Sequence, residues 1–449
     1  MELNTFVDLL FKKAKAEGFS EYEVYYVDRE SLSIRVYKEE VEKYNLNNSY
    51  GLSFRAKLGD KIGYSYTEIL DEAAIDMLIK KAKENVLVLD NEDIQFIYEG
   101  DKEYKKVDTY SKALENIPAD KLINIALDME KEAKAYCDKV DNFSGCAVSY
   151  SSGKYGIINS KGLNLHNKTN LLTAYVIPIV KDEDRMYDGF GYIIANSLDE
   201  VDPKKIAIEG VNEALSKIGA TSIPSGKQRV IINNEAMVSL LSTFEGVFSA
   251  DAVQKGLSLL KDKEGEEIAS TIVNLVDNPH LENGLASVPF DDEGVATTKT
   301  YLIKNGKLET FLHNLKTAYK AGVKSTGHGF KSSYASPISV SSTNFYIEKG
   351  DKSFDDLLGI INNGIIITDF AGMHSGANAI TGEFSLAAKG FKIENGKKGS
   401  PIEQITVAGN FFDLLNNIEE IGNDLKFPMS SVGCPSVIIK EISIAGDGK

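Results

Sequence analysis

Three consecutive carboxylates stand at Asp291, Asp292 and Glu293, followed by a glycine and a predicted strand. Carboxylates this close together could bind a cation, or could act as a paired general acid and base. An acidic turn beside a glycine is more often a solvated turn, and this is the interpretation that we favour. The three residues nevertheless enter the set of candidates for a substrate or partner cleft.

A second candidate is a glycine-flanked loop that the pattern places between strands, here defined as residues 372–385. Its polar side chains are of types that bind polar ligands or exchange protons: His374, Ser375, Asn378, Thr381 and Glu383. Loops of this kind carry function when a rigid scaffold holds them. An ordinary glycine-rich connection explains the same pattern equally well, and a histidine beside a serine makes no catalytic dyad without the geometry.

No familiar catalytic or metal-binding motif occurs in the sequence. It lacks G-x-S-x-G, the P-loop, H-E-x-x-H and G-x-G-x-x-G. The five histidines are too far apart to form a local pair of metal ligands: His166, His280, His313, His328 and His374. His328 lies between two glycines and His280 in an Asn-Pro turn, and we predict that both are structural. Local motifs therefore predict no catalytic group and no metal site in this chain.

The elements that must position these residues follow from the hydrophobic spacing. Apolar residues at helical spacing predict helices near the N-terminus and at 72–82, 119–135, 203–219 and 235–247. Alternating residues around asparagine-glycine turns predict antiparallel hairpins, among them those at 305–306 and 395–396. The sequence thus predicts an α+β fold with two domains. An N-terminal domain that mixes helices with antiparallel sheet spans 1–222, a linker lies around 222–226, and a β-rich C-terminal domain spans 223–449.

Length, charge and cysteine content narrow the class of protein. The 449 residues suffice for two or three domains, and a formal net charge of −16 repels phosphate backbones, so we expect no nucleic-acid partner. No apolar run approaches the ~20 residues of a membrane span, and the N-terminus lacks the layout of a signal peptide. Three cysteines without a C-x-x-C pair suit a reducing compartment, so we expect a cytoplasmic protein without membrane contact.

Three stretches of the C-terminal half carry a family resemblance: His374-Ser375-Gly376-Ala377-Asn378-Ala379-Ile380-Thr381-Gly382-Glu383-Phe384-Ser385, Gly390-Phe391-Lys392-Ile393-Glu394-Asn395-Gly396-Lys397 and Ile405-Thr406-Val407-Ala408-Gly409-Asn410. Shorter stretches at 290–294, 421–424 and 435–446 fit the same pattern. The chain thereby resembles the TldD/PmbA family, and more narrowly its PmbA branch, also called TldE. The resemblance covers the whole chain by length and element order, and its specific motifs lie in the second half.

The resemblance implies a cytoplasmic metallopeptidase made of one TldD-like and one TldE-like chain. In the TldD-like chain, a helix with H-E-x-x-x-H supplies two zinc ligands and a catalytic glutamate, with a cysteine near the C-terminus as a further ligand. Zinc lowers the pKa of a bound water, and the glutamate takes its proton for attack on a peptide carbonyl. Histidines at that spacing lie about 140° apart on an ideal helix, so the helix must break, and a glycine before the second histidine permits the break.

This sequence departs from the TldD pattern at the metal motif. By the resemblance, Ser242 stands at the first histidine, Thr243 at the glutamate and Val247 at the second histidine, while the glycine before it is retained. Valine has no lone pair, and neutral hydroxyls are poor zinc ligands. Cys434 aligns beyond the family's cysteine ligand. We therefore expect a metal-free subunit, no cofactor in this chain, and zinc in the TldD-like partner.

Three functions stay open from the sequence. We favour a TldE-like subunit that completes the metallopeptidase and helps to hold an unfolded peptide, which exposed strand edges could grip through main-chain hydrogen bonds. The second is a stand-alone hydrolase whose site gathers distant residues such as His374, His328 and the carboxylates at 291–293. The third is a homodimeric peptide-binding module, which the chain could form in the absence of its partner.

Overall fold

The computed structural model describes residues 1–88 and 94–448. Its helices are α1 (Leu3–Ala16), α2 (Glu72–Val88), α3 (Ala119–Tyr136), α4 (Pro203–Ser216), α5 (Asn234–Phe244), α6 (Ala250–Gln254), α7 (Leu315–Ala321), α8 (Phe354–Ile361), α9 (Met373–Gly376) and α10 (Phe411–Asn416). Its strands are β1 (Glu21–Tyr37), β2 (Glu40–Leu58), β3 (Lys61–Thr67), β4 (Val140–Asn159), β5 (Asn164–Asp182), β6 (Arg185–Asp188), β7 (Gly191–Ala195), β8 (Pro224–Ile232), β9 (Leu275–Asp277), β10 (Thr300–Lys304), β11 (Lys307–Leu308), β12 (Gly329–Lys331), β13 (Ile338–Val340), β14 (Phe345–Ile347), β15 (Gly364–Ala371), β16 (Glu383–Glu394), β17 (Lys397–Asn410), β18 (Ile418–Ile421), β19 (Val432–Gly433) and β20 (Val437–Asp447).

The N-terminal half is built on one antiparallel sheet of seven strands, in the order β3-β2-β1-β4-β5-β6, with β7 also paired to β5. The sequence predicts several short strands here, whereas β1, β2, β4 and β5 are each 17 to 20 residues long. Polar residues such as Ser31 and Ser33 interrupt the apolar pattern without ending the strand, because they lie on the face that the helices leave uncovered.

Helices α1 to α4 pack on one face of this sheet. Leu32 and Ile34 of β1 join a core with α3 and α4, while Val24 and Tyr26 join a second core with α1 and α2. Asp202 caps α4 through the N–H groups of the next turn, as expected for a helix that begins at a proline. Nowhere in residues 1–88 and 94–448 is a helix both long and apolar enough to cross a membrane.

The C-terminal half is dominated by strands. A sheet of six strands has the order β17-β16-β15-β8-β20-β18, and β17 also pairs with β20, so that five of the strands close into a ring. A sheet of five strands and the pair β12-β13 complete this half. The α+β fold, with a mixed N-terminal region and a β-rich C-terminal region, is therefore confirmed.

The residues predicted as a linker around 222–226 lead directly into the first strand of the C-terminal sheet. Thr221 pairs with Ile402, and Pro224 begins β8. Proline is tolerated as the first residue of a strand, so the proline and glycine that suggested a linker are compatible with pairing. The division into domains at 1–222 and 223–449 stays a prediction.

The two halves meet at the uncovered face of the N-terminal sheet, where Tyr25 and Ile157 pack against Phe290. Charged side chains lie beside this contact, and we call them the ionic seam: the buried Glu23, Arg55, Asp291, Asp292 and Glu293, and the half-buried Lys331. Arg55 Nη2 donates to Glu23 Oε1 at 2.6 Å within the sheet. Lys331 Nζ reaches across from the C-terminal half and donates to Ser53 Oγ at 3.0 Å.

The expectation that the carboxylates at 291–293 form a solvated turn is wrong, because all three are buried. Asp291 accepts the N–H groups of Glu293 and Val295 on Oδ1 and that of Gly329 on Oδ2. Two further bonds tie the turn to other segments: Asp292 Oδ2 accepts from Lys331 N at 2.8 Å, and Glu293 Oε2 accepts from Leu315 N at 2.8 Å. The turn therefore holds several separate segments of the C-terminal half against the sheet.

Burial shifts the proton affinity of these groups. It raises the pKa of Asp292 to about 6 and that of Glu293 to about 7, against the bonds from backbone N–H groups that lower both. Burial, followed by the charge of Arg55, lowers the pKa of Lys331 to about 7. Four acids thus share the seam with two bases, and Asp291, Asp292 and Glu293 bind protons more tightly in the folded chain than in the unfolded chain.

Glu293→Gln should flatten the pH dependence of stability. The folded-state pKa of about 7 exceeds the ordinary 4.5, so the contribution of Glu293 is complete below the ordinary pKa and is lost as pH rises through 7. Between about pH 5 and about pH 8, the wild-type free energy of unfolding should fall by about 2 kcal/mol more than that of the variant. Urea unfolding measures both, with the exposed Glu394→Gln as control; parallel pH profiles for wild type and Glu293→Gln would contradict this account.

Candidate functional site

The segment that the resemblance places at the metal motif lies at the end of α5. Asn233 caps this helix, its Oδ1 accepting from the Ala236 N–H at 2.9 Å. The α-helix ends at Phe244, and a tighter 3-10 turn, Glu245–Phe248, follows it. The sequence predicts a helix through 247; the structure ends it three residues earlier, at the glycine-containing turn, because glycine is a poor helix residue. The chain thus breaks where the resemblance requires a break.

The side chains at the motif positions serve packing and backbone hydrogen bonding. Thr243 Oγ1 donates to the carbonyl of Ser239 at 2.8 Å, and Val247 is buried in the core of the C-terminal half. Ser242 is half-buried. Across residues 1–88 and 94–448, no three His, Cys, Asp or Glu side chains lie close enough together to hold a metal ion. The residues present do not fit a zinc ion, and the expectation of a metal-free, cofactor-free chain stays a prediction.

Burial shifts two ionisable groups near this segment toward their neutral forms. Burial raises the pKa of the Glu245 carboxyl, which accepts a bond from Ser342 Oγ at 3.3 Å and feels the charge of Asp277. Cys434 is fully buried, and burial raises the pKa of its thiol well above the ordinary value. A metal ligand would need the thiolate form, so this environment disfavours metal binding by Cys434.

His328 and Asp277 form a buried hydrogen-bonded chain. His328 Nε2 lies 2.8 Å from Asp277 Oδ1, and His328 Nδ1 lies 2.8 Å from Thr326 Oγ1. Asp277 also accepts the N–H of Thr343 at 2.7 Å. Both ring nitrogens of His328 are occupied and the ring is fully buried, which fits the structural role that the sequence favours. Nearby, burial lowers the pKa of His313 to about 4, so this ring is neutral at ordinary pH.

The glycine-flanked loop, residues 372–385, is exposed at the surface but internally ordered. Asn378 Oδ1 accepts the N–H groups of Ile380 and Thr381, and Asn378 N donates to the carbonyl of Glu383 at 2.8 Å. Gly372 and Gly382 adopt left-handed φ angles of 86° and 78° at the two ends of the turn, where other residues would be strained. The side chains of His374, Ser375, Asn378 and Glu383 are exposed, and that of Thr381 is half-buried.

An aromatic cluster connects this loop with the motif segment. Phe244, the last residue of α5, stacks on Phe411 at 4.6 Å between ring centroids and lies 6.4 Å from Phe384, which immediately follows Glu383. Phe411 N donates to the Gly382 carbonyl at 2.8 Å. The loop and the segment at the end of α5 therefore pack against the same aromatic cluster.

The candidates from the sequence thus separate into two groups. The loop residues share an exposed surface, whereas Asp291, Asp292 and Glu293 lie in the ionic seam, where backbone N–H groups occupy their oxygens. Of the residues proposed for a stand-alone hydrolase, only His374 is exposed. Sequence reasoning missed Lys331 and the Glu23–Arg55 pair. Their only local signal is a charge inside a strand pattern, which does not reveal a distant partner.

Comparisons with known proteins cover almost the whole chain. Models of the PmbA/TldA metallopeptidase domains match residues 22–86 (domain 1), 112–218 (central domain) and 225–446 (C-terminal domain). Metalloprotease PmbA of Escherichia coli O157:H7 is 30% identical over 74% of this chain and 71% of its own length. A PmbA homologue of Haemophilus influenzae is 26% identical over 96% of this chain and 93% of its own length.

Solved structures have the same fold. A Thermotoga maritima protein described as a candidate modulator of a DNA gyrase superposes with a TM-score of 0.92 at 34% identity, covering 99% of this chain and 100% of that one. TldE of Thermococcus kodakarensis superposes with a TM-score of 0.90 at 22% identity, covering 98% of this chain and 100% of that one, and this likeness concerns the fold alone. The predicted resemblance is confirmed: the chain belongs to the PmbA/TldD family of metallopeptidases.

Proposed function

We propose that this chain is the supporting, TldE-like subunit of a cytoplasmic, heterodimeric zinc peptidase that processes unfolded peptides. One observation carries the proposal. The metal-motif segment keeps its helix break but offers Ser242, Thr243 and Val247 where ligands and a base would stand, with Val247 buried. The zinc and the base would come from a TldD-like partner, in which the metal would lower the pKa of a bound water.

In this proposal the glycine-flanked loop is the surface that this chain contributes to the cleft or to the partner interface. Asn378 fixes the loop through its own backbone bonds, which leaves His374 and Glu383 exposed for an external group. An ordered loop loses little conformational entropy when it binds, because its backbone is already fixed. The loop and the motif segment both pack at the aromatic cluster around Phe244. This favours a position of the loop near the partner's catalytic site over a position remote from it.

The charge of the chain supports a polypeptide ligand over DNA. The description as a gyrase modulator belongs to the Thermotoga maritima protein, whereas this chain carries a formal net charge of −16. Phosphate backbones are repelled by such a charge unless a basic face is present. An extended peptide can instead be held through main-chain hydrogen bonds with little dependence on its side chains.

Metal content and activity should require the partner chain. Purified alone, this chain should bind no stoichiometric zinc and should leave an unstructured synthetic peptide intact. Co-purified with a TldD-like chain that carries H-E-x-x-x-H, it should form a complex with zinc and cleavage activity, measured by elemental analysis and mass spectrometry of the peptide. A complex whose partner has the motif glutamate changed to glutamine is the control for contaminating proteases. Stoichiometric zinc and cleavage by the lone chain would refute the proposal.

Glu383→Ala should reduce peptide cleavage by the complex on the order of tenfold, since an exposed interface carboxylate is removed. Because the side chain is exposed, the unfolding midpoint should not change. Glu394→Ala is the matched control: it removes an exposed carboxylate from the opposite end of the same strand, β16, and should leave cleavage unaltered. Equal cleavage and equal complex formation in wild type and Glu383→Ala would remove the loop from the proposed site.

A further inference from the structure

A cavity lies between the two halves of the molecule, and it shares no lining residue with the glycine-flanked loop or the ionic seam. It has about 390 Å³ of empty space, its open mouth included. The N-terminal half supplies β6 and the segment after α4, and the C-terminal half supplies neighbouring residues of β15, β16 and β17. Small-molecule sites are frequent at such junctions. The charged residues and the threonine of its lining are Asp188, Lys217, Thr368, Lys389 and Glu403.

Two β-bulges shape the wall that the C-terminal half contributes. Thr368 is the extra residue of β15 where its pairing with β16 shifts. On the other side of β16, Glu403 and Gln404 of β17 stand opposite the single residue Lys389. Gln404 has a left-handed φ of 56°, which is strained for a residue other than glycine. Bulges re-aim side chains and are over-represented next to active sites. Here they accompany three side chains that line one cavity: Thr368, Lys389 and Glu403.

Two of the charged groups around the cavity are neutralised within the chain. Arg185 Nη1 lies 3.1 Å from Glu403 Oε1, an ion pair that joins the two halves. Lys217 Nζ lies 2.7 Å from Glu213 Oε1 and also donates to the Asp188 carbonyl at 2.8 Å. Glu403 and Lys217 therefore belong to the wall of the cavity and add little net charge to it.

The side chains of Lys389 and Asp188 differ from these two. Lys389 is half-buried, and Asp188 is exposed. Among the residues that the structure describes, no carboxylate lies within ion-pair distance of the Lys389 ammonium, although Asp369 stands opposite it on β15. In the same part of the chain, the Asp188 carboxylate has no cation within that distance. The cavity thus presents one positive and one negative group, each open to an external partner.

We propose that this cavity binds a small zwitterion, namely a free amino acid or a short peptide with both termini unblocked. The ligand carboxylate meets Lys389 and the hydroxyl of Thr368, and the ligand ammonium meets Asp188. Phe391 and Ile402 form an apolar wall for the side chain of the ligand. Only a molecule with both charges completes both charge-assisted contacts, because an inorganic anion is repelled by Asp188 and a simple cation by Lys389. This inference does not depend on the proposed peptidase role.

Ligand-observed NMR titration of the full chain tests the binding, with alanine and dialanine as probes. Dialanine should bind with a dissociation constant of about 1 mM, as expected for a ligand held by a few polar contacts in an open cavity. Lys389→Ala should weaken the binding about tenfold, since the partner of the carboxylate is lost. Lys392→Ala is the matched control: it removes a half-buried lysine of the same strand that does not line the cavity, and should leave the affinity unchanged. Unfolding midpoints equal to that of the wild type show that the variants are folded.

Blocked dipeptides assign each terminus to its partner. Dialanine amide and N-acetyl-dialanine should each bind the wild type about tenfold more weakly than dialanine. Lys389→Ala should no longer distinguish dialanine from its amide, and Asp188→Asn should no longer distinguish dialanine from its N-acetyl form. The inference is overturned if neither probe binds, if inorganic phosphate binds as tightly as dialanine, or if Lys389→Ala keeps full affinity. Zinc and cleavage, measured separately on the complex, decide the peptidase role.

Discussion

Burial of three adjacent carboxylates between the halves is the constraint on which the rest of the structure depends. An ionised carboxylate removed from water is tolerated only if hydrogen bonds and opposite charges replace its hydration. Asp291 alone accepts three backbone N–H groups. Because the bonds of the turn reach segments far apart in the chain, one local sequence determines how the β12 strand and the start of α7 lie against the N-terminal sheet.

Under the proposed function, the segment after α5 would keep the frame of the metal motif without its ligands. The glycine-containing turn after α5 is present, and Phe244 stacks within the aromatic cluster under the loop. Val247 fills the core at a position where an imidazole would need polar partners. Under the proposal, an apolar side chain at a ligand position would give a site that packs without a metal. A subunit of a metallopeptidase family could in this way keep the fold while another chain supplies the catalytic groups.

Local order in this protein could be read from the sequence, and long-range placement could not. Helix α4 between Pro203 and Gly219, and the turns at Asn305 and Asn395, have signals within a few residues, and the structure has a helix or turn at each. The loop at 372–385 was found from its polar density. The pairing of Lys331 with Ser53 spans more than two hundred residues, and the bond from Gly329 that helps to bury Asp291 spans 38, so one sequence carries no local signal for either. The sequence pattern also predicts short strands where β1, β2, β4 and β5 are long. The two faces of each strand meet different neighbours, so polar residues on one face interrupt the apolar pattern without ending the strand.

The closed ring of strands in the C-terminal half has a consequence for biosynthesis. Strand β8, at the start of this half, pairs with β20 at its end, Val230 lying opposite Ile439. A ribosome must therefore complete nearly the whole chain before the ring can close, while the strands of the N-terminal sheet, all of which precede residue 196, have already emerged. Until then β8 exposes a hydrophobic edge, and contacts of such high sequence separation form slowly. In nascent chains, the edge of β8 that meets β20 consequently stays unpaired until translation of the second half is nearly complete.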